Sequence, residues 1–481
     1  MNSETEMLFK TKPFDHQIDA LERSRNEEYY ALFMEMGTGK SKVIIDNAMW
    51  LWGENAINGL LILAPKGAYL NWLYNEIPTH FLKEIPSRLG FYGANQKKED
   101  RLWADLLLSP KKELDIMCVN LEGLISQKCF DFCKIFLNRH STMMVIDESV
   151  MIKTPKAKRT KRALSLGRMA SYRRILSGAP ITNNPFDIYS QTNFLKHGLL
   201  GFTSFLSFKH YYADIEQISL GPTRPSYPVV KEYRHLDELS SDIDKFSFRV
   251  LKKDCLDLPE KVYEKQYVEL TKPQKKAYTE LKDFAVTQFE KGGVTVTSAM
   301  TLIGKLHRIT CGHIKTDEGE VIEIETNRKK VLFDIIEGLS GKAIIWCNYR
   351  KDIEMLKQLF KEKGMLESYV TYWGDTPDCE RALAVAIFQD DPACKIFLGT
   401  AQTGGRGITL TAASTVIYYS NSYNLETRIQ SEDRAHRIGQ KNNVTYIDLV
   451  SRGTVDEKII KCLKEKKVLA DSILDDWRDV L

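Results

Sequence analysis

Short, unbroken apolar runs recur along the chain, with helical stretches between them. One group holds Tyr30 to Met34, Leu60 to Ala64, Ile116 to Val119, Met143 to Ile146 and Arg174 to Leu176. A second group holds Ala343 to Trp346, Ile396 to Leu398, Val416 to Tyr419 and Tyr446 to Val450. Runs without polar alternation predict strands buried on both faces. Helices between such strands predict parallel sheets covered on each side. From 195 to 330 the pattern turns helical, with few strand signals, and Gly221-Pro222, Pro225 and Pro228 punctuate it as a loop. The expected fold class is therefore α/β: two parallel-sheet lobes in tandem with a helical insertion between them.

In open parallel sheets, ligands bind at the carboxyl ends of the strands. The polar motifs sit there. Met36-Gly37-Thr38-Gly39-Lys40-Ser41 follows the first run and leads into a helix from Lys40 through Trp50. Glycines let backbone N–H groups turn inward around phosphate oxygens, and the helix N-terminus adds positive potential. Lys40 would reach the β- and γ-phosphates, and the Ser41 hydroxyl would ligate Mg²⁺. The pattern wants glycine five residues before Gly39, and Met34 stands there. A glycine-containing turn before a helix would also explain the hexapeptide taken alone.

Met143 to Ile146 runs straight into Asp147-Glu148-Ser149. Paired carboxylates at a strand end suit Mg²⁺-dependent phosphate chemistry, with Asp147 on the metal and Glu148 as the base that polarises water. An acidic helix cap is the alternative for such a pair in isolation. From Lys153 to Arg174 the chain carries nine Lys/Arg and no Asp/Glu. This is either a solvated helix face or a surface that tracks phosphates. In the second group, Thr403-Gly404-Gly405-Arg406-Gly407-Ile408 allows close approach of backbone to a ligand. Arg434 and Arg437 are spaced i,i+3, on one face if helical. Two guanidinium groups on one lobe and a phosphate loop on the other form the arginine-finger arrangement. A basic helix face with surface ion pairs is the plainer reading of that segment alone.

Composition adds little that is specific. Hydrophobic residues make up 43% and charged residues 27% of 481 positions, with net charge +4, as in an ordinary soluble protein of two to four domains. The charge only hints at a polyanionic partner. Nine cysteines without a CxxC pair give neither a zinc ribbon nor a disulfide framework, and fit a reducing compartment. The polar N-terminus is no signal peptide, and no apolar run approaches membrane-spanning length. His307, Cys311 and His313 lack further partners to complete a metal site, so a structural role is expected. His16, beside Gln17, is expected to pack locally.

Taken together, these segments resemble the Snf2 family of superfamily 2 helicase-like ATPases, which are double-stranded DNA translocases. The match runs in order from about Pro13 to Lys458. Pro13-Phe-Asp-His-Gln17 is similar to the nucleotide-sensing entry segment, with Gln17 at the adenine-reading position. Glu35 to Ser41 resembles motif I, and the family too lacks the first glycine of the loop. Leu63-Ala-Pro65, Asn71-Trp72 and Glu76 resemble motif Ia, which meets the DNA backbone. Asp147-Glu148-Ser149 with Ile152-Lys153 matches motif II, and Leu176 to Pro180 with Asn183 matches motif III. Leu251-Lys-Lys-Asp, Leu258-Pro-Glu-Lys261, Gln274 and Tyr278 resemble the block joining the lobes. Leu306-His-Arg308 with Gly312-His313 resembles a helical segment of the insertion. Gln430 to Gln440, ending in Arg-Ile-Gly-Gln, is very close to motif VI. Departures are Met34, Val150, Thr182, Arg406 and Ser431; those at Val150 and Thr182 bear on coupling rather than hydrolysis.

The resemblance implies RecA-like lobes at 1–200 and 326–481 flanking Snf2-type insertions and linker at 201–325. It implies ATP and Mg²⁺ as cofactors. Met36, Gly37, Thr38, Gly39, Lys40, Ser41, Gln17, Gly407 and Gln430 would hold the nucleotide, and Ser41 and Asp147 the metal. Lys40, Glu148, Arg434 and Arg437 would carry catalysis. Duplex DNA is the implied partner, gripped through phosphates by Lys66, Lys153, Lys158 and Arg406. The expected activity is DNA-stimulated ATP hydrolysis driving translocation, for protein displacement or remodelling of DNA structures in replication, repair or recombination. No reader or nuclease module flanks the core, which would suit a bacterial, archaeal or viral genome-maintenance enzyme, intracellular and soluble. A strand-separating DNA or RNA helicase, a motor subunit of a nuclease or repair complex, and an ATP-switched scaffold are the alternatives. The intact Lys40, Glu148 and Arg437 argue against the last.

Overall fold

The computed structural model describes residues 9–66, 68–93, 96–218, 227–290, 296–316, 318–404 and 408–474. The chain divides into two compact units. One comprises Met1–Glu216, Val230–Asp257 and Val468–Leu481; the other comprises Gln217–Val229 and Leu258–Lys467.

Seven strands build the sheet of the first unit: β1 (Tyr29–Met34), β2 (Gly59–Ala64), β3 (Ser87–Tyr92), β4 (Leu114–Asn120), β5 (Thr142–Asp147), β6 (Tyr172–Leu176) and, after the small two-stranded sheet of β7 (Ala213–Ile218) and β8 (Tyr227–Tyr233), β9 (Ser247–Val250). Their order is β3-β4-β2-β5-β6-β1-β9, and every pairing is parallel. Alternate residues of the same strand enter opposite cores, as a pleat of period two requires. Ala31, Phe33, Leu61, Leu63, Met144 and Ile146 pack on one face. Tyr30, Leu32, Leu60, Ile62, Met143 and Val145 pack on the other. That double burial is why these strands read as continuous apolar runs.

The second unit holds β10 (Lys261–Val268), a hairpin of β11 (His313–Lys315) and β12 (Val321–Glu323), and β13 (Lys342–Cys347), β14 (Tyr369–Tyr372), β15 (Ile396–Thr400), β16 (Ala413–Tyr418) and β17 (Val444–Ser451). The larger sheet runs β10-β17-β16-β13-β15-β14, again all parallel. Ile345, Leu398 and Ile417 enter one core, and Ile344, Phe397 and Val416 the other. Two parallel-sheet α/β lobes are thus as expected.

Among the described residues, six strands, β7 to β12, lie where a helical insertion was expected, and two of them extend the main sheets. β9 continues the first sheet, with Ala31 opposite Ser247. β10 opens the second, with Lys261 opposite Val444. Both escaped the apolar-run criterion. β9 has only four residues, and β10 (KVYEKQYV) is an edge strand exposed at six consecutive positions. Edge strands carry charge to discourage further pairing, so they lose the buried-strand signature.

Several guanidinium groups are buried, and three of them cross-link the fold. Arg174 donates to the carbonyls of Ser24, Glu27, Glu28 and Arg173 and to Asn47, all without a carboxylate. Burial pushes it down to about 9. Arg328 bridges Tyr419 O, Ser451 and Asp456. Arg428 pairs with Glu432 and Asp448 and stacks on Tyr418. Each ties together segments distant in sequence through several donors at once, which a lysine ammonium cannot do.

Candidate functional site

β1 ends at Met34, and the chain turns through Gly37 (φ 79°) and Gly39 (φ 90°) before the helix Lys40–Gly53. Both glycines take the left-handed region that strains other residues. Lys40 Nζ donates to the carbonyl oxygens of Met34 (2.9 Å) and Glu35 (3.3 Å). The side chain of Met34 is wholly buried in the core. Thr38 N and Oγ1 both donate to Glu35 O, closing the turn.

Gln17 and His16 hold this turn from the helix Asp15–Ser24. Gln17 Nε2 donates to Thr38 O at 3.0 Å, while its Oε1 accepts the Phe14 N–H. His16 Nε2 lies 2.8 Å from the same Thr38 oxygen, so His16 grips the loop rather than merely packing beside it. The carbonyl and the N–H of a trans peptide point in opposite directions. Anchoring the Thr38 oxygen therefore orients the N–H of Gly39 the other way. A Cβ on Gly39 would lie 2.1 Å from Gln17 Nε2. Behind the loop, a Cβ on Gly178 would lie 2.9 Å from Met36 Cγ, so Ser177-Gly178-Ala179 backs the loop only because residue 178 is glycine.

β5 delivers Asp147 to the same carboxyl edge. Asp147 Oδ2 accepts the indole N–H of Trp72 at 2.8 Å, and Oδ1 accepts the backbone N–H of Glu148 at 3.0 Å. Burial pushes Asp147 above the usual carboxylate range, while the Trp72 N–H, the Lys40 ammonium and the Glu148 N–H pull it back. The pull from Lys40 places the loop lysine and this carboxylate in one electrostatic environment. Glu148 itself is left-handed, at φ 51° and ψ 59°. Such strain in a non-glycine residue clusters at functional sites.

Motif III folds onto motif II. Ser149 Oγ donates to Gln191 Oε1 at 2.6 Å, and Gln191 Nε2 donates to Pro180 O and Asp187 O. Lys153 Nζ donates to Thr182 Oγ1 at 2.6 Å and pairs with Asp187 at 3.5 Å. That ammonium, expected on DNA, is engaged within its own unit. The basic run divides in the same way. Arg159 donates to Met151 O, Arg162 to Leu124 O and Ile125 O, and Arg173 pairs with Glu28. Lys156, Lys158, Lys161 and Arg168 are exposed, as is Lys66.

In the second unit, Gln430 lies in the helix Leu425–Glu432. Arg434 and Arg437 follow that helix in turns, so they do not share a helical face. They converge nonetheless: both donate to the carbonyl of Ile408, at 2.9 and 3.4 Å. Arg434 is buried and also donates to Gln430 O at 2.9 Å, whereas Arg437 is half-buried. Ser431 bonds the Tyr418 hydroxyl. Arg406 and Gly407 lie outside the described residues.

The histidine cluster is structural. His307 Nδ1 bonds Tyr349 OH at 2.8 Å, and His313 Nε2 bonds Asp352 at 2.9 Å. Among the described residues, no group of three or more His, Cys, Asp or Glu could hold a metal ion. Mg²⁺ in phosphate chemistry takes one or two protein oxygens and leaves the rest to phosphates and water. The hard oxygens of Asp147 and Ser41, with the Lys40 ammonium beside the carboxylate, fit that use. Among the described residues, no helix is long and apolar enough to cross a membrane.

The SNF2-related domain model matches residues 20–315, and the helicase conserved C-terminal domain model matches 327–439. The chain is similar to the TATA-binding protein-associated factor MOT1 of Saccharomyces cerevisiae, at 27% identity over 69% of this chain and 20% of that one. It is also similar to an uncharacterized ATP-dependent helicase of Mycoplasma pneumoniae, at 27% identity over 92% of this chain and 40% of that one. It thus spans a fifth to two fifths of the length of these relatives. A solved SWI2/SNF2 ATPase core of Sulfolobus solfataricus in complex with double-stranded DNA aligns at 24% identity, covering 97% of this chain and 95% of that one, with a TM-score of 0.43. With its SNF2-related domain covering most of the chain and a helicase C-terminal domain after it, the chain belongs to the SNF2 family of helicase-like ATPases.

Proposed function

We propose that this chain is an ATPase that couples MgATP hydrolysis to translocation along duplex DNA. The observation that carries the reading is the carboxyl edge of the first sheet. There a glycine turn, an amino group and a strand-end Asp-Glu pair sit in one electrostatic environment, which is the equipment of phosphoryl transfer to water. The N–H groups of 37–41 receive phosphate oxygens, and Lys40 exchanges its two carbonyl acceptors for them. Asp147 and Ser41 hold Mg²⁺, which when bound neutralises charge developing on the phosphates. Glu148 accepts a proton from the attacking water. Gln17 releases Thr38 or keeps it according to what occupies the loop, which makes the entry segment a sensor.

Arg437 is the finger that stabilises charge on the transferring group. Arg434, through Ile408 O and Gln430 O, holds the segment from which Arg437 projects. Exposed Lys66 and Lys158 are the phosphate contacts on DNA, with Arg406 on the second lobe. Such contacts carry little sequence information, so affinity falls with salt and sequence preference is weak. Family membership supports duplex DNA as the track, and protein displacement or remodelling of DNA structures as its use.

The test is ATPase stimulation by duplex DNA, single-stranded DNA and RNA, paired with displacement of a third strand from a triplex. Stimulation by duplex and triplex displacement without unwinding of a forked substrate are expected. Stimulation by single strands alone, with fork unwinding, refutes translocation on duplex in favour of strand separation.

A further inference from the structure

We propose that Trp72 is a positioning residue for the metal-holding carboxylate, an inference that rests on the reading of Asp147 given above. Trp72 is 1% exposed, and its indole N–H donates to Asp147 Oδ2 at 2.8 Å. A buried indole has one N–H to satisfy, and most side-chain hydrogen bonds go to backbone or water rather than to another side chain. Here it is spent on the carboxylate at the end of β5, 75 residues away.

The second oxygen, Oδ1, takes the Glu148 N–H at 3.0 Å. The torsion that turns an aspartate carboxylate is broad and soft. Two donors from two different elements, one on each oxygen, remove that freedom and leave the remaining lone pairs aimed in a fixed direction. Neither donor is charged, so neither competes with a cation for the carboxylate.

The segment carrying Trp72 is itself unusual. A single π-helical turn, Trp72–Glu76, interrupts the short helices Tyr69–Asn71 and Ile77–His80. Asn71 Nδ2 donates to Glu76 Oε1 at 3.1 Å across that turn. A π turn widens the helix by one residue and re-aims the side chains around it, and such turns concentrate at functional sites. At this one, the side chain at its first position is the indole that reaches Asp147.

The experiment titrates Mg²⁺ into the full chain with a fluorescent ATP analogue and follows binding, not turnover. Trp72→Phe keeps an aromatic ring and deletes the donor. It is expected to raise the Mg²⁺ concentration for half-maximal binding by about 10- to 150-fold, the worth of one hydrogen bond to a charged group. Binding without Mg²⁺ should be unchanged. Trp72→His retains an N–H and is expected to stay within about 3-fold of wild type. Trp72→Met, flexible and without a donor, replaces the Phe variant if melting shows that variant unfolded. A wild-type Mg²⁺ requirement in the donor-deleted variant overturns the proposal, as does equal impairment of the His and Phe variants. Asp147→Asn separates the two levels. If it too binds with the wild-type Mg²⁺ requirement, the metal reading of Asp147 fails. If it shifts and Trp72→Phe does not, only the role of Trp72 fails.

Discussion

Mild acid should loosen the second unit through one histidine. His307 is 3% exposed, bonded to the Tyr349 hydroxyl and 3.7 Å from Asp456. Burial, aided by Arg328 and His313, outweighs the carboxylates of Asp456 and Asp352 and pushes His307 from 6.5 down to about 4. The sign follows from where the proton goes. The unfolded chain takes it near pH 6.5, and the folded chain only near pH 4. The contribution is therefore full above pH 6.5 and lost as pH falls through about 4. At about 1.4 kcal/mol for each tenfold difference in proton affinity, the whole window is worth about 3 kcal/mol, and about 2 kcal/mol of it falls between pH 7 and pH 5. Urea denaturation of wild type and His307→Phe at both pH values isolates this part. The variant should lose about 1 kcal/mol at pH 7 with the Tyr349 bond, yet show a pH dependence flatter by about 2 kcal/mol. Taking the difference cancels Asp46 of the first unit, which burial pushes up to about 6 and which titrates there with the opposite sign. Parallel pH dependences for the two proteins would refute the assignment of the buried neutral ring.

Lys40→Ala and Glu148→Gln should each abolish turnover, the second leaving nucleotide binding intact; wild-type hydrolysis by Glu148→Gln would sink its role as base. Arg434→Ala should lower the melting temperature by several degrees together with activity, because its bonds to Gln430 O and Ile408 O are buried. Arg437→Ala should lose turnover while keeping melting temperature and nucleotide affinity, and an unchanged rate would remove it from the reaction. Gly39→Ala combines left-handed strain with displacement of the Gln17 amide, about 2 to 3 kcal/mol in all, read as a lower melting temperature and weakened nucleotide binding. A wild-type melting temperature there would mean that the Gln17 clamp contributes nothing.

What was legible in the sequence follows burial. β1, β2, β5, β13 and β15 are covered on both faces, so their composition alone announced them. β3 and β14 carry polar or half-buried residues at sheet edges, and β9 and β10 are either very short or exposed, so no run marked them. The loop and the Asp-Glu pair could be read because their chemistry is local: consecutive residues do the work. The clamp of His16 and Gln17 on Thr38, the Trp72 bond to Asp147 and the convergence of two arginines on Ile408 O join residues 21 to 75 positions apart, and no spacing rule encodes them. Charge counting could not divide the basic run for a related reason. Arg159 and Arg162 serve backbone carbonyls and Arg173 pairs with Glu28, which leaves the outward lysines and Arg168 exposed.

The pairing of β10 with β17 has a consequence for synthesis. Lys261 leaves the ribosome about 180 residues before its partner Val444 exists. At ~5–20 residues per second, the strand waits for about 10 to 40 seconds with both edges unpaired. An apolar strand left so long would recruit neighbouring chains. The Lys-Val-Tyr-Glu-Lys-Gln sequence of β10 is soluble enough to wait. The same polarity that hid the strand from pattern reading protects the nascent chain until its sheet can close.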